Sequence, residues 1–136
     1  MSDLLIVPIL LPAMIAALSL FRQIRLSCWN RVLSGVSMLG IVASALAMFL
    51  VARDGTVLTY ELGAWPAPFG IVLVLDRLSA MMVLLTSVLG AVVLAHALLT
   101  GTDRRGWHFH PLFQFQLLGL NGSFLTGDLF NLFVFF

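Results

Sequence analysis

The chain has 136 residues, 61% of them hydrophobic and only 10% charged, with a mean hydropathy of +1.10. A dissolved globule of this size has too little interior to hide so much apolar surface, so lipid must solvate most of it. With only seven basic residues and no basic patch interleaved with aromatics, a nucleic-acid surface has no support, and the single cysteine excludes an internal disulfide and a cysteine metal cluster.

Residues 4–20 form the first expected span. Asp3 stands where a cleavable signal would carry basic residues, Pro8 and Pro12 interrupt the apolar run, and further spans follow, so this is not a signal peptide. A basic segment at 21–31 holds Arg22, Arg25 and Arg31, and precedes a second span at 32–52. A third span is expected at 78–100. The loop 101–110 carries Arg104, Arg105 and the pair His108 and His110 on either side of Phe109. It leads to a fourth span at 111–125, with Pro111 in the first turn, where its missing N–H is not needed. Residues 129–136 open a fifth span that is expected to be truncated, since it rises about 12 Å against a hydrocarbon core of ~30 Å.

Between the second and third spans the pattern changes. Residues 57–62 alternate polar and apolar at period two, residues 69–75 are apolar and β-branched, and residues 63–68 (Gly-Ala-Trp-Pro-Ala-Pro) are turn chemistry. This predicts a small external β-hairpin lying on the helix ends. Asp76 suits the N-cap of a helix that begins at Arg77, which argues against reading 69–75 as part of that helix. The expected fold is thus an all-α polytopic membrane protein, with four transmembrane helices, the start of a fifth and the hairpin, in one domain over 1–136.

Arginine placement sets the expected orientation. The loops 21–31 and 101–110 hold arginine without matching acids, apart from Asp103, whereas the hairpin loop sets Arg53 and Arg77 against Asp54, Glu61 and Asp76. The Arg-rich loops therefore face the cytoplasm and the N-terminus faces outside. Small residues recur four apart within the spans, at Gly40/Ser44, Ala43/Ala47, Ala91/Ala95 and Gly119/Ser123, as helices that approach closely in lipid require.

Polar groups inside the spans are few. Gln114, Gln116 and Asn121 lie in the fourth, and His96 in the third. Gln114 and Asn121 are two helical turns apart and share a face, which either holds water along an ion path or bonds neighbouring helices. His96, about a turn from the cytoplasmic end of its helix, either relays protons or reaches the interface. Asp76 and Asp128 both precede apolar helical runs and are expected helix caps, Asp128 also standing at the outer mouth of the fifth helix. Candidates for a proton path are therefore Gln114, Asn121, Asp128 and His96. His108 and His110 have no second ligand pair at metal-binding spacing, so no metal is expected, and with no serine, cysteine or acid–base constellation no catalytic residues and no cofactor are expected either.

From His110 to Phe136 the sequence HPLFQFQLLGLNGSFLTGDLFNLFVFF closely resembles the D subunit of the multisubunit monovalent-cation/proton antiporters of the Mrp, Pha or Mnh type, and the run Leu75-Asp76-Arg77-Leu78-Ser79-Ala80-Met81 is similar to the start of that family's third helix. The resemblance implies the N-terminal portion of a proton-translocating subunit in a bacterial plasma (inner) membrane. Its partners would be other subunits of the antiporter complex, the lipid bilayer, protons and Na+ or K+. It also implies a relation to the antiporter-like subunits of respiratory complex I, where protons move along buried Glu and Lys residues and water. The family's key Glu follows the Phe-Phe pair at 135–136 and its Lys residues lie on later helices. On this reading the chain is a secondary-transporter portion, not an enzyme, and is not expected to exchange ions alone. The alternative is a membrane subunit of a complex I-type NADH:quinone oxidoreductase or membrane-bound hydrogenase. A third option is a membrane scaffold with no transport role.

Overall fold

The computed structural model describes residues 2–21, 27–62, 70–106 and 108–136. Arg22 and Arg25 of the basic segment, and the expected turn at 63–68, lie outside the described residues. A 3₁₀ turn at Ser2–Ile6 leads into helix α1 (Val7–Phe21), followed by α2 (Ser27–Ala52). Strands β1 (Leu58–Glu61) and β2 (Val72–Leu75) come next, then α3 (Arg77–Thr100), a 3₁₀ turn at Thr102–Arg104, α4 (Phe109–Leu125) and α5 (Leu129–Phe135).

The strands pair antiparallel in the register Leu58↔Leu75 through Glu61↔Val72, so a hairpin stands where the period-two pattern put one. Its second strand is served on both edges. Gly127 N–H donates to the Val72 carbonyl at 2.8 Å, and Leu73 makes a lone bridge to Thr126, so the α4–α5 connection covers the edge that β1 leaves open. Leu73 and Leu75 point inward with Leu5, Met48, Ala52, Val83 and Leu125, forming the core at this end of the bundle. Met38, Ile41, Leu94 and Leu117 form a second apolar cluster further along the helices.

Two helix starts differ from the expected ones. α2 begins at Ser27, so Arg31 belongs to a helix and not to the connecting loop. α4 begins at Phe109, which makes His110 a helical residue, buried at 5% exposure, and not part of the loop 101–110. At both places the side chain that the helix takes in meets a partner across the bundle, Arg31 with Asp103 and His110 with Ser34. α3 ends at Gly101, whose φ of 69° is the left-handed stop that a residue without Cβ takes at little cost. Gly122 on α4 is required by a close approach, because a Cβ there would run into the Phe135 ring of α5.

The outer faces of the helices are apolar, and polar side chains are set among the apolar ones in the interior. Ser34, Ser37, Ser87, Gln114 and Asn121 are fully buried, while Leu39, Leu50, Met81, Leu85 and Val92 are exposed. Exposed apolar faces and interior polar groups suit a bundle dissolved in lipid. Three stretches, Leu4–Phe21, Cys28–Ala52 and Arg77–Thr100, are helical, long and apolar enough to cross a membrane. α4 is shorter, with 17 residues and a rise of ~25 Å.

Candidate functional site: a buried polar seam along α4

α4 lies closest to α1, and also touches α3 and α2. Its inward stripe reads His110, Gln114, Leu117, Asn121, Leu125, one residue for each turn or so of helix. Three of those five are polar, and each finds one partner from a neighbouring helix.

Asn121 serves a defect in α1. Pro12 sits inside that helix and has no N–H to offer the carbonyl four residues back, that of Pro8. The Asn121 Nδ2 donates to the Pro8 carbonyl at 3.0 Å, across 113 residues of sequence. A bare carbonyl in a lipid-embedded bundle is costly, so the amide repairs what the proline removed. The other end of the amide, Oδ1, is buried with no hydrogen-bond partner among the described residues.

Gln114 is likewise fully buried. Its Oε1 accepts from the Ser37 hydroxyl of α2 at 3.0 Å, and its Nε2 has no partner among the described residues. One turn earlier, His110 Nδ1 lies 2.9 Å from the Ser34 hydroxyl. Ser34 and Ser37 are one turn apart on α2 and meet His110 and Gln114 one turn apart on α4, so the two helices are joined by a polar ladder.

The ladder ends in charge. Asp103, from the 3₁₀ turn after α3, is buried and takes both arms of the Arg31 guanidinium, Nη2 to Oδ1 at 2.6 Å and Nε to Oδ2. Such bidentate pairing is the strongest geometry available to an arginine and a carboxylate. The Arg31 hydrogen bonds hold the Asp103 carboxyl below its usual range, against burial, which pushes it up. His110 Nε2 stands 3.5 Å from Asp103 Oδ2, facing it but beyond an ordinary hydrogen bond.

Of the four residues proposed from sequence for a proton path, the structure puts Gln114 and Asn121 on this seam. His96 is exposed on the outer face of α3, away from it. Asp128 is half-buried at the N-cap of α5, where its carboxylate accepts from Phe130 N–H at 3.2 Å and from Asn131 Nδ2 at 3.4 Å. Asp76 caps α3: Ser79 N–H donates to its Oδ1 at 2.6 Å and Asp76 N–H donates to Ser79 Oγ at 2.8 Å. The Ser79 hydroxyl also donates to Asp76 Oδ1 at 2.7 Å, and this bond, ahead of the one from Ser79 N–H, lowers the Asp76 pKa. Gln116 is exposed. Sequence reasoning missed the Arg31–Asp103–His110–Ser34 cluster. The usable signal was the serine pair at 34 and 37, polar residues three apart in an apolar helix, matching His110 and Gln114 four apart on another.

No family profile matches the chain. Individual relatives do. It is 46% identical over its whole length to a probable K(+)/H(+) antiporter D subunit of Rhizobium meliloti, of which it covers 26%. Along its whole length this sequence is similar to antiporter D subunits. A Na(+)/H(+) antiporter D subunit of Alkalihalophilus pseudofirmus is 43% identical, and one of Bacillus subtilis 37%, each with 28% of its length covered. The chain therefore spans about a quarter of the length of these antiporter proteins. Among solved structures, the Mrp complex from Dietzia sp. superposes with a TM-score of 0.84 at 28% identity, over 98% of this chain and 24% of that one. The membrane-bound sulfane sulfur reductase, an archaeal respiratory membrane complex, superposes with a TM-score of 0.80 at 25% identity, over 99% of this chain and 28% of that one. Homology to membrane antiporters, together with three apolar helices of spanning length, makes this a multi-pass membrane protein.

Proposed function

We propose that the chain is the N-terminal portion of the D subunit of a multisubunit Na+/H+ or K+/H+ antiporter, a secondary transporter, and that it forms outer helices beside a proton path. The observation that supports this is the match of the whole chain, at 37–46% identity, to about a quarter of the length of antiporter D subunits. α1, α2 and α3 cross the membrane, α4 crosses over residues 111–125 as a fourth span, and α5 begins a fifth. The Arg-rich ends face the cytoplasm of a bacterial inner membrane, with the N-terminus outside. Gln114 and Asn121, each with one buried polar atom lacking a partner among the described residues, line the part of the interior best able to order water. Asp128 caps α5 at the outer mouth, and other antiporter subunits are the partners.

A chimera tests the reading. The matching segment of the B. subtilis D subunit is replaced by this chain, and everted membrane vesicles are assayed for collapse of a pH gradient on adding Na+ or K+. Retained exchange is expected, with none from the 136-residue chain alone in liposomes. An assembled chimera that exchanges nothing, or an active isolated chain, would sink the proposal. The likeness to the sulfane sulfur reductase complex supports a second reading, an antiporter-like membrane subunit of a redox-driven complex. Copurification with redox subunits instead of antiporter subunits would favour it.

A further inference from the structure

We propose that His110, held between Ser34 and Asp103, is a proton-binding site at the Arg-rich end of the seam, exchanging its proton at Nδ1 through the Ser34 hydroxyl. The argument starts from the two faces of the ring. Nε2 faces the Asp103 carboxylate at 3.5 Å, so a hydrogen on Nε2 is favoured in every state and a bare lone pair there is not. Nδ1 faces Ser34 Oγ at 2.9 Å, and a hydroxyl can either donate or accept. In neutral His110 the Ser34 O–H donates to Nδ1. In the imidazolium Nδ1–H donates to the Ser34 oxygen. Both protonation states fit the same heavy-atom positions, so proton gain and loss require no rearrangement of the helices.

Proton uptake balances without a further reagent. Ser34 passes its hydroxyl proton to Nδ1 as it receives one from a hydronium ion, which is left as water. His110 gains one proton and Ser34 remains a neutral hydroxyl. Loss is the reverse. The charges around the ring make this tolerable in a buried place. Arg31 of α2 neutralises Asp103, so the cluster is uncharged with neutral His110 and carries one positive charge with the imidazolium, set against the carboxylate. α2 adds Cys28 one turn before Arg31, the described residues of α1 from Val7 onward carry no ionisable side chain, and His96 of α3 faces outward. Arg104 and Arg105 beside Asp103 are exposed.

This site would be the cytoplasmic loading group of the proposed proton-moving subunit, and it rests on that reading for its purpose, not for its chemistry. The test reads the chemistry directly. The full chain with ¹⁵N-labelled histidine is titrated by NMR in lipid nanodiscs, His96→Gln and His108→Gln serving to assign the three rings. His110 should keep a proton on Nε2 throughout and gain one on Nδ1 as pH falls. Asp103→Asn should lower its midpoint by about one unit or more. Ser34→Ala should lower it too, and Ser34→Thr should restore the wild-type value, which a purely packing role for Ser34 would not produce. A His110 that holds one protonation state from about pH 4 to 9, an Nδ1–H neutral tautomer, or a midpoint indifferent to all three variants would overturn the proposal. A titrating His110 beside an inactive chimera would remove the antiporter reading and leave the site standing.

Discussion

Asn121→Leu removes the amide that serves the Pro8 carbonyl while keeping side-chain volume close to its original value. Interhelical hydrogen bonds in membranes average ~0.6 kcal/mol, and a buried carbonyl left without a donor costs a further 1–3 kcal/mol, roughly. Leucine also takes away the unpartnered Oδ1, which returns part of that loss. The expected net cost is therefore about 1–2 kcal/mol. Because the carbonyl is bare only where Pro12 withholds an N–H, the cost should depend on Pro12. In a Pro12→Ala chain the alanine N–H can reach the Pro8 carbonyl, and Asn121→Leu should then cost close to nothing. Unfolding of the four chains in mixed micelles with increasing dodecyl sulfate, followed by far-ultraviolet circular dichroism, gives the coupling energy. A coupling of about 1–2 kcal/mol is expected, and a value under ~0.5 kcal/mol would refute the idea that the amide repairs the proline.

Gly122→Val should push the Phe135 ring off α4 and lower stability by about 1–3 kcal/mol, and adding Phe135→Ala should recover most of it. If the second change brings no recovery, the two residues do not meet. Asp103 predicts an acid limb in the stability curve: its native pKa lies below the unfolded value of about 3.9, so its contribution is complete above that pH and is lost as pH falls through the native value. The slope below about pH 4 should be shallower in Asp103→Asn than in the parent chain, and equal slopes would count against the buried pair. Cys28 is exposed at the Arg-rich end of α2, so an impermeant maleimide should label it only after cells are permeabilised. Prompt labelling of intact cells would reverse the proposed orientation.

What the sequence made legible follows from which interactions are local. The hairpin rests on alternation within a few residues, and the apolar helices rest on composition over one window, so both can be read along the chain. The shared face of Gln114 and Asn121 is also a property of one helix. What each amide binds is not, since Ser37 and the Pro8 carbonyl lie 77 and 113 residues away. Arg31 shows the limit best. Counted as a loop arginine it speaks only about topology, yet it is the clamp on an aspartate 72 residues later. Read along the chain, His110 belongs with a loop because His108 and Gly106 beside it are loop-like. Its burial depends on Ser34 and Asp103, which no local pattern connects to it.

The bond between Asn121 and the Pro8 carbonyl also makes α1 and α4 one unit of the fold. α1 carries a backbone oxygen that its own helix cannot satisfy, and the donor lies more than a hundred residues away along the chain, on α4. Separated from α4, the helix would keep that carbonyl bare, which is costly in hydrocarbon. The bond therefore acts as an address: among the described helices, α4 is the neighbour that completes α1.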